Sequence, residues 1–220
     1  MQDSLFQKII SSKLFKNLSV VFSETVVTKI LNFVIILLLT RQLGPEEYGK
    51  YSFIFVTMAF CSSFFDFGME NTAVRFANKK SETRNSIFGL YLFVKLLILF
   101  GIILVLMLFG GQIFALIHKS ELTKYIPFLI IGILGESLFF VNDTYLQAVQ
   151  KFTLRAYLNI CKYSLNLIFI VILFLEKLLY LKYVFCMYFI PLGITILFIP
   201  KYIEFLKNYF SKNLPTELLK

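Results

Sequence analysis

Tryptophan is missing from the 220 residues altogether, histidine occurs once, cysteine three times, and charged residues make up only 16%. Each scarcity excludes something. A soluble domain carries about 25% charged residues. The deficit, with 58% hydrophobic residues and a mean hydropathy of +0.78, places the chain among membrane proteins. Cys61, Cys161 and Cys186 stand far apart with no C-x-x-C spacing, and His118 is the only imidazole. No metal site or other cofactor is therefore expected, and the thiols read as small apolar groups. Without tryptophan, interfacial belts fall to the 12 tyrosines. No cleavable signal peptide is expected either, because the first apolar run starts late, is too long and lacks a small-residue cleavage pattern.

What is present is a series of long apolar runs. Two of them, from Val20 to Thr40 and from Tyr48 to Ala73, flank a Gly-, Pro- and Glu-rich turn at 41–47. About 20 residues at 1.5 Å rise span a hydrocarbon core of roughly 30 Å, so this stretch predicts a transmembrane hairpin. Further runs predict an all-α membrane bundle of six spans near 20–40, 50–73, 87–109, 125–148, 157–175 and 182–200. The domain plan is an amphipathic segment 1–18, a six-helix lobe 19–200 and a basic tail 201–220.

The net charge of +9 does not indicate a nucleic-acid partner, because the cations collect in short loops. Thirteen Lys and Arg fall in the segments around 1–18, 75–84, 151–155 and 201–220; six fall in the intervening loops and three lie within spans. The positive-inside rule then puts both termini in the cytoplasm.

The three intramembrane cations are Lys29, Lys95 and Lys162, and the acids within spans include Asp66, Glu136 and Asp143. A charge at mid-membrane costs about 2.5–3.5 kcal/mol, so such groups should pair or face a wet interior. Helical spacing gives each of four spans one polar face: Thr25, Lys29 and Asn32; Ser62, Asp66 and Glu70; Glu136, Asp143, Gln147 and Gln150; Asn159, Lys162 and Asn166. Depth suggests two pairs, Asp66 with Lys95 and Asp143 with Lys162. Glu24, five positions from Lys29, is assigned to another face. Gly68 and Gly135 are expected to permit close helix packing.

The turn R-x-L-G-P-E-x-Y-G-x-Y from Arg41 to Tyr51, then Asp66-Phe67-Gly68 and Ala73-Val74-Arg75-Phe76, resembles the polysaccharide-biosynthesis transporters, including the O-antigen flippases of the Wzx type in the MOP superfamily. The resemblance implies the amino-terminal lobe of a MOP- or MATE-like transporter, with a second lobe on the same or another chain and the tail at 201–220 as the linker towards it. It implies movement of undecaprenyl-diphosphate-linked oligosaccharide across the inner membrane by alternating access. Partners would be that lipid-linked oligosaccharide, the bilayer, and a carboxy-terminal lobe or other polysaccharide-assembly membrane proteins. Lys29, Asn32, Lys95 and Lys162 are the candidate substrate contacts; Asp66, Glu136 and Asp143 are the candidates for ion coupling or intramembrane pairing. The alternatives are a non-transporting assembly subunit or a membrane enzyme acting on the lipid carrier. The enzyme reading is disfavoured by short loops without a D-x-D, His/Asp or Ser/His arrangement.

Overall fold

The computed structural model describes residues 13–64, 68–79 and 84–213. Its helices are α1 (Lys13–Phe64), α2 (Met69–Lys79), α3 (Arg84–Leu116), α4 (Ile126–Ala148), α5 (Phe152–Leu175), α6 (Leu181–Val184), α7 (Phe189–Ile196) and α8 (Ile199–Asn213). Among the described residues, four helices are long and apolar enough to cross a membrane, or five if the bent pair near the carboxy terminus is one span. Because α1 breaks at Gly44 into two arms, the bundle has about six crossing segments. Of the segment 1–18, positions 1–12 lie outside the described residues, and 13–18 begin α1.

Gly44 explains the first reversal. Its φ of 71° and ψ of 176° fall in a region that only glycine adopts without strain. Pro45 follows at the head of the second arm, where its missing N–H costs nothing. The arms at 13–43 and 45–64 line one common cavity, as a hairpin requires. The turn is clasped from outside. The Lys50 ammonium donates to Glu46 and Glu47 at 2.8 Å each and reaches Glu121, in the 3₁₀ segment Ser120–Tyr125, at 3.3 Å. The hydrogen bond from Lys50 holds the Glu46 carboxyl below its ordinary range, while Glu46 and Glu47 hold the Lys50 ammonium above its own. Glu46 is solvent-exposed, so the clasp sets register more than stability.

The second arm stops at Phe64, well before the predicted boundary at 73. A new helix, α2, starts after Gly68, whose φ is 73°. Glu70 therefore lies on α2 and does not extend the Ser62 face. Nothing stands within 4 Å of a Cβ built at Gly68, so that glycine serves a backbone conformation and not close packing. Asp66 lies outside the described residues, and with it the suggested pair with Lys95.

The span predicted at 182–200 is also broken. Proline removes a helix donor and crowds the preceding turn. Pro191 stands just after a 3₁₀ stretch, Phe185–Tyr188. Pro200 coincides with a 60° bend between 181–196 and α8. At that bend the hydrogen bonds shorten to i→i−3, with Leu197 and Phe198 N–H donating to the carbonyls of Ile194 and Thr195.

α8 folds back along the start of α3. Phe205 packs on Phe88 with centroids 5.6 Å apart, and Tyr209 on Phe93 at 6.0 Å. The Asn85 amide donates to Glu204 at 2.6 Å. A side chain at Gly89 would meet the Phe205 carbonyl and Tyr209, so glycine permits the approach.

Two apolar clusters hold the bundle. One, at the Gly44 end, gathers Leu39, Tyr51, Ile54, Leu122, Tyr125 and Phe185 among others. The smaller one, at the opposite end, gathers Ala73, Phe88, Leu92, Val141 and Phe205. Residues of the first cluster, among them Ile35, Tyr51 and Met58, also wall a polar interior. The outer face of α3 (Leu97, Phe100, Leu104, Leu108) stays exposed, as lipid contact requires.

Candidate functional site

Residues from both arms of α1, from α4, α5 and the 185–191 segment enclose a cavity of about 440 Å³. Glu24, Thr28, Lys29 and Asn32 come from the first arm; Ser62 and Ser63 from the second; Glu136 and Asp143 from α4; Arg155, Asn159, Lys162 and Asn166 from α5; Tyr188 from the 3₁₀ segment. Helix geometry accounts for the convergence. Positions 24, 28 and 32 recur every four residues, 136 and 143 at seven, and 155, 159, 162 and 166 at four, three and four, so each set occupies one face.

The expected candidates Lys29, Asn32, Lys162, Glu136 and Asp143 are thus brought together. Lys95 is not. It is 3% exposed on α3 and its ammonium donates to the Ser62 carbonyl at 3.4 Å, outside the cavity lining.

The pairing inside differs from the expected one. Lys162 pairs with Glu136, Nζ to Oε2 at 3.0 Å, and its ammonium also lies 4.3 Å from the Phe139 ring centroid. Asp143 instead binds Arg155, whose Nε and Nη2 both donate to Oδ2 at 2.8 Å. The Asn159 amide donates to Oδ1 at 2.8 Å. Antiparallel helices explain the correction. Both observed pairs are centred on position 149, in the α4–α5 turn, whereas Asp143 and Lys162 are unequally far from it and lie about 10 Å apart in depth at 1.5 Å per residue.

Two participants escape the expectation. Glu24 was assigned to another face, yet it is 8% exposed and its Oε2 lies 3.9 Å from Arg155 Nη1. Its four-residue spacing from Thr28 was the available signal; its offset from Lys29 misleads, because Lys29 sits at the cavity's edge and is exposed. Arg155 falls among the loop cations by the positive-inside count, yet it opens the stripe that continues through Asn159, Lys162 and Asn166.

Polar demand in the cavity exceeds what the side chains supply. Glu24 Oε2, Ser62 Oγ, Asn166 Oδ1 and the Tyr188 hydroxyl have no hydrogen-bond partner among the described residues. Lys29 has no carboxylate within ion-pair distance among them. Buried polar atoms of this kind are satisfied by water or a ligand. Among the described residues no group of three His, Cys, Asp or Glu side chains is placed to hold a metal ion.

Helices of spanning length around a charged, hydrophilic interior define a membrane bundle with a polar central site. Consistent with that class, a family model described as "Polysaccharide biosynthesis protein" matches residues 14–217. The chain belongs to the polysaccharide biosynthesis protein family. No curated protein and no solved structure shows detectable similarity to it.

Proposed function

We propose that this chain is a transporter lobe, not an enzyme, that passes an oligosaccharide linked to a polyprenyl diphosphate such as undecaprenyl diphosphate across the cytoplasmic membrane by alternating access, with both termini cytoplasmic. The carrying observation is Lys29, a cation in the middle of a membrane helix that borders the cavity with no carboxylate partner among the described residues. A diphosphate supplies the missing anion. The cavity volume lies within the range of roughly 300–1,000 Å³ typical of small-molecule sites. Its hydroxyl and amide groups suit a glycan, while the prenyl chain stays in lipid. A complementary lobe, on this chain's continuation or on another chain, would cover the open side. Asn32 and Lys162 complete the proposed substrate contacts; Lys95 takes a supporting place behind Ser62.

The test is accumulation of lipid-linked oligosaccharide in the cytoplasmic leaflet of cells that lack this protein and carry it back in native or altered form. Lys29→Gln should bind the carrier about 10- to 100-fold more weakly, as expected for the loss of one charged hydrogen bond of roughly 1.5–3 kcal/mol. Accumulation should therefore persist with this variant but be relieved by the native protein and, in large part, by Lys29→Arg. Equal relief by native and Lys29→Gln would remove the basis of the reading.

A further inference from the structure

Among the described residues, the ionisable Asp, Glu, Lys and Arg side chains lining the cavity balance: Glu24, Glu136 and Asp143 against Lys29, Arg155 and Lys162. They are not evenly matched in space. Lys162 and Glu136 neutralise each other. Arg155 is committed to Asp143, whose two oxygens are both satisfied, one by the guanidinium and one by Asn159. Glu24 has Arg155 Nη1 at 3.9 Å, too far for a hydrogen bond, and only a share in the Asn159 amide, which Asp143 holds at 2.8 Å. Its Oε2 is buried and has no donor among the described residues. Thr28 does not help, since its hydroxyl donates to the Glu24 main-chain carbonyl at 2.9 Å. Two carboxylates on one guanidinium leave one negative charge uncompensated, and Asp143 holds the better seat.

We infer that Glu24 is an exchangeable proton site, and that its protonation is linked to binding of the anionic head group in the same cavity. The proton goes onto Oε2 from water in the cavity. It raises the charge of the described lining from zero to +1, which favours a diphosphate near Lys29 and Arg155. Linkage is reciprocal, so anion binding draws a proton onto Glu24. Among the described residues no other carboxyl is as well placed. Arg155, Asp143 and Asn159 act on it directly, and the same cavity is lined by Glu136 of α4, paired like Asp143, by Lys162 and Tyr163 of α5, and by Lys29 on its own arm at the cavity's edge. The purpose of the site rests on the transport reading; its chemistry does not.

Infrared difference spectroscopy tests the chemistry on the purified full chain in lipid nanodiscs, stepped between mildly acidic and mildly alkaline pH. The native chain should show a titrating carboxylic C=O band that is absent from Glu24→Gln. In Asp143→Asn the band should be lost or moved to lower pH although Glu24 is intact, because Arg155 then turns to Glu24. No titrating band in the native chain, or a band unchanged in either variant, overturns the assignment. Calorimetry with inorganic pyrophosphate in buffers of different ionisation heat tests the linkage. About one proton should be taken up per anion bound by the native chain and none by Glu24→Gln. Equal uptake by both overturns the linkage. Failure of pyrophosphate to bind at all counts against both the linkage and the transport reading, and leaves the infrared result to decide the proton site.

Discussion

Replacing Lys162 with methionine is expected to cost about 3 kcal/mol of stability, the low end for breaking a buried ion pair. Lys162 is 6% exposed, and removing its ammonium strands the Glu136 carboxylate 3.0 Å away. The loss is at the low end because Glu136, with 20% of its side chain accessible, can be partly rehydrated through the cavity. Glu136→Gln alone should also destabilise, by stranding the cation, though the Phe139 ring beneath Lys162 offsets part of it. The double change should cost clearly less than the two single changes together. Unfolding in a mixed-detergent titration, read as a double-mutant cycle, measures the coupling. Strict additivity would mean that the pair does not act as a unit.

The second large effect is expected at Phe185. Its side chain is fully buried at the Gly44 end, with the Tyr125, Tyr188, Phe128 and Tyr51 rings at 4.9, 5.7, 5.9 and 6.2 Å. Phe185→Ala removes the ring on which four others converge, and a cost of about 3–5 kcal/mol follows from comparable core truncations. In a bilayer the loss is one of packing contacts more than of hydrophobic transfer, because lipid is as apolar as the core. Leu197→Ala is the control: Leu197 is 75% exposed and should be near neutral. Thermal unfolding of the three proteins in one detergent gives the comparison, and equal losses in the two variants would remove the aromatic cluster from its structural role.

Much of this interior is legible in the sequence because helix periodicity converts spacing directly into a shared face. The stripes at Lys29 and Asn32, at Glu136 and Asp143, and at Asn159, Lys162 and Asn166 converge as their numbers predict. Pair partners are less legible. Matching Asp143 to Lys162 compares rough depths, whereas counting outward from the turn at 149 selects Arg155 for Asp143 and Lys162 for Glu136. Helix ends are least legible where hydropathy is uniform. The run through Phe64 and Phe65 stays apolar across the point where α1 stops, and only the backbone at Gly68 marks the break. The interruption of the last span had a visible cause, Pro191 and Pro200, which a hydropathy window averages away. Glu24 is legible only against the Thr28 and Asn32 stripe, since its offset from Lys29 points to another face.

The central claim is that the polar side chains of separate helices face one water-filled interior. Single cysteines at Asn32, Ala59, Ser63 and Asn166, in a chain whose three native cysteines are replaced, should react with a membrane-impermeant thiol reagent from the aqueous phase. Cysteines at Leu97, Phe100 and Leu108 on the lipid face of α3 should not. Silence at the four cavity positions, or equal reaction at the α3 positions, would contradict the claim.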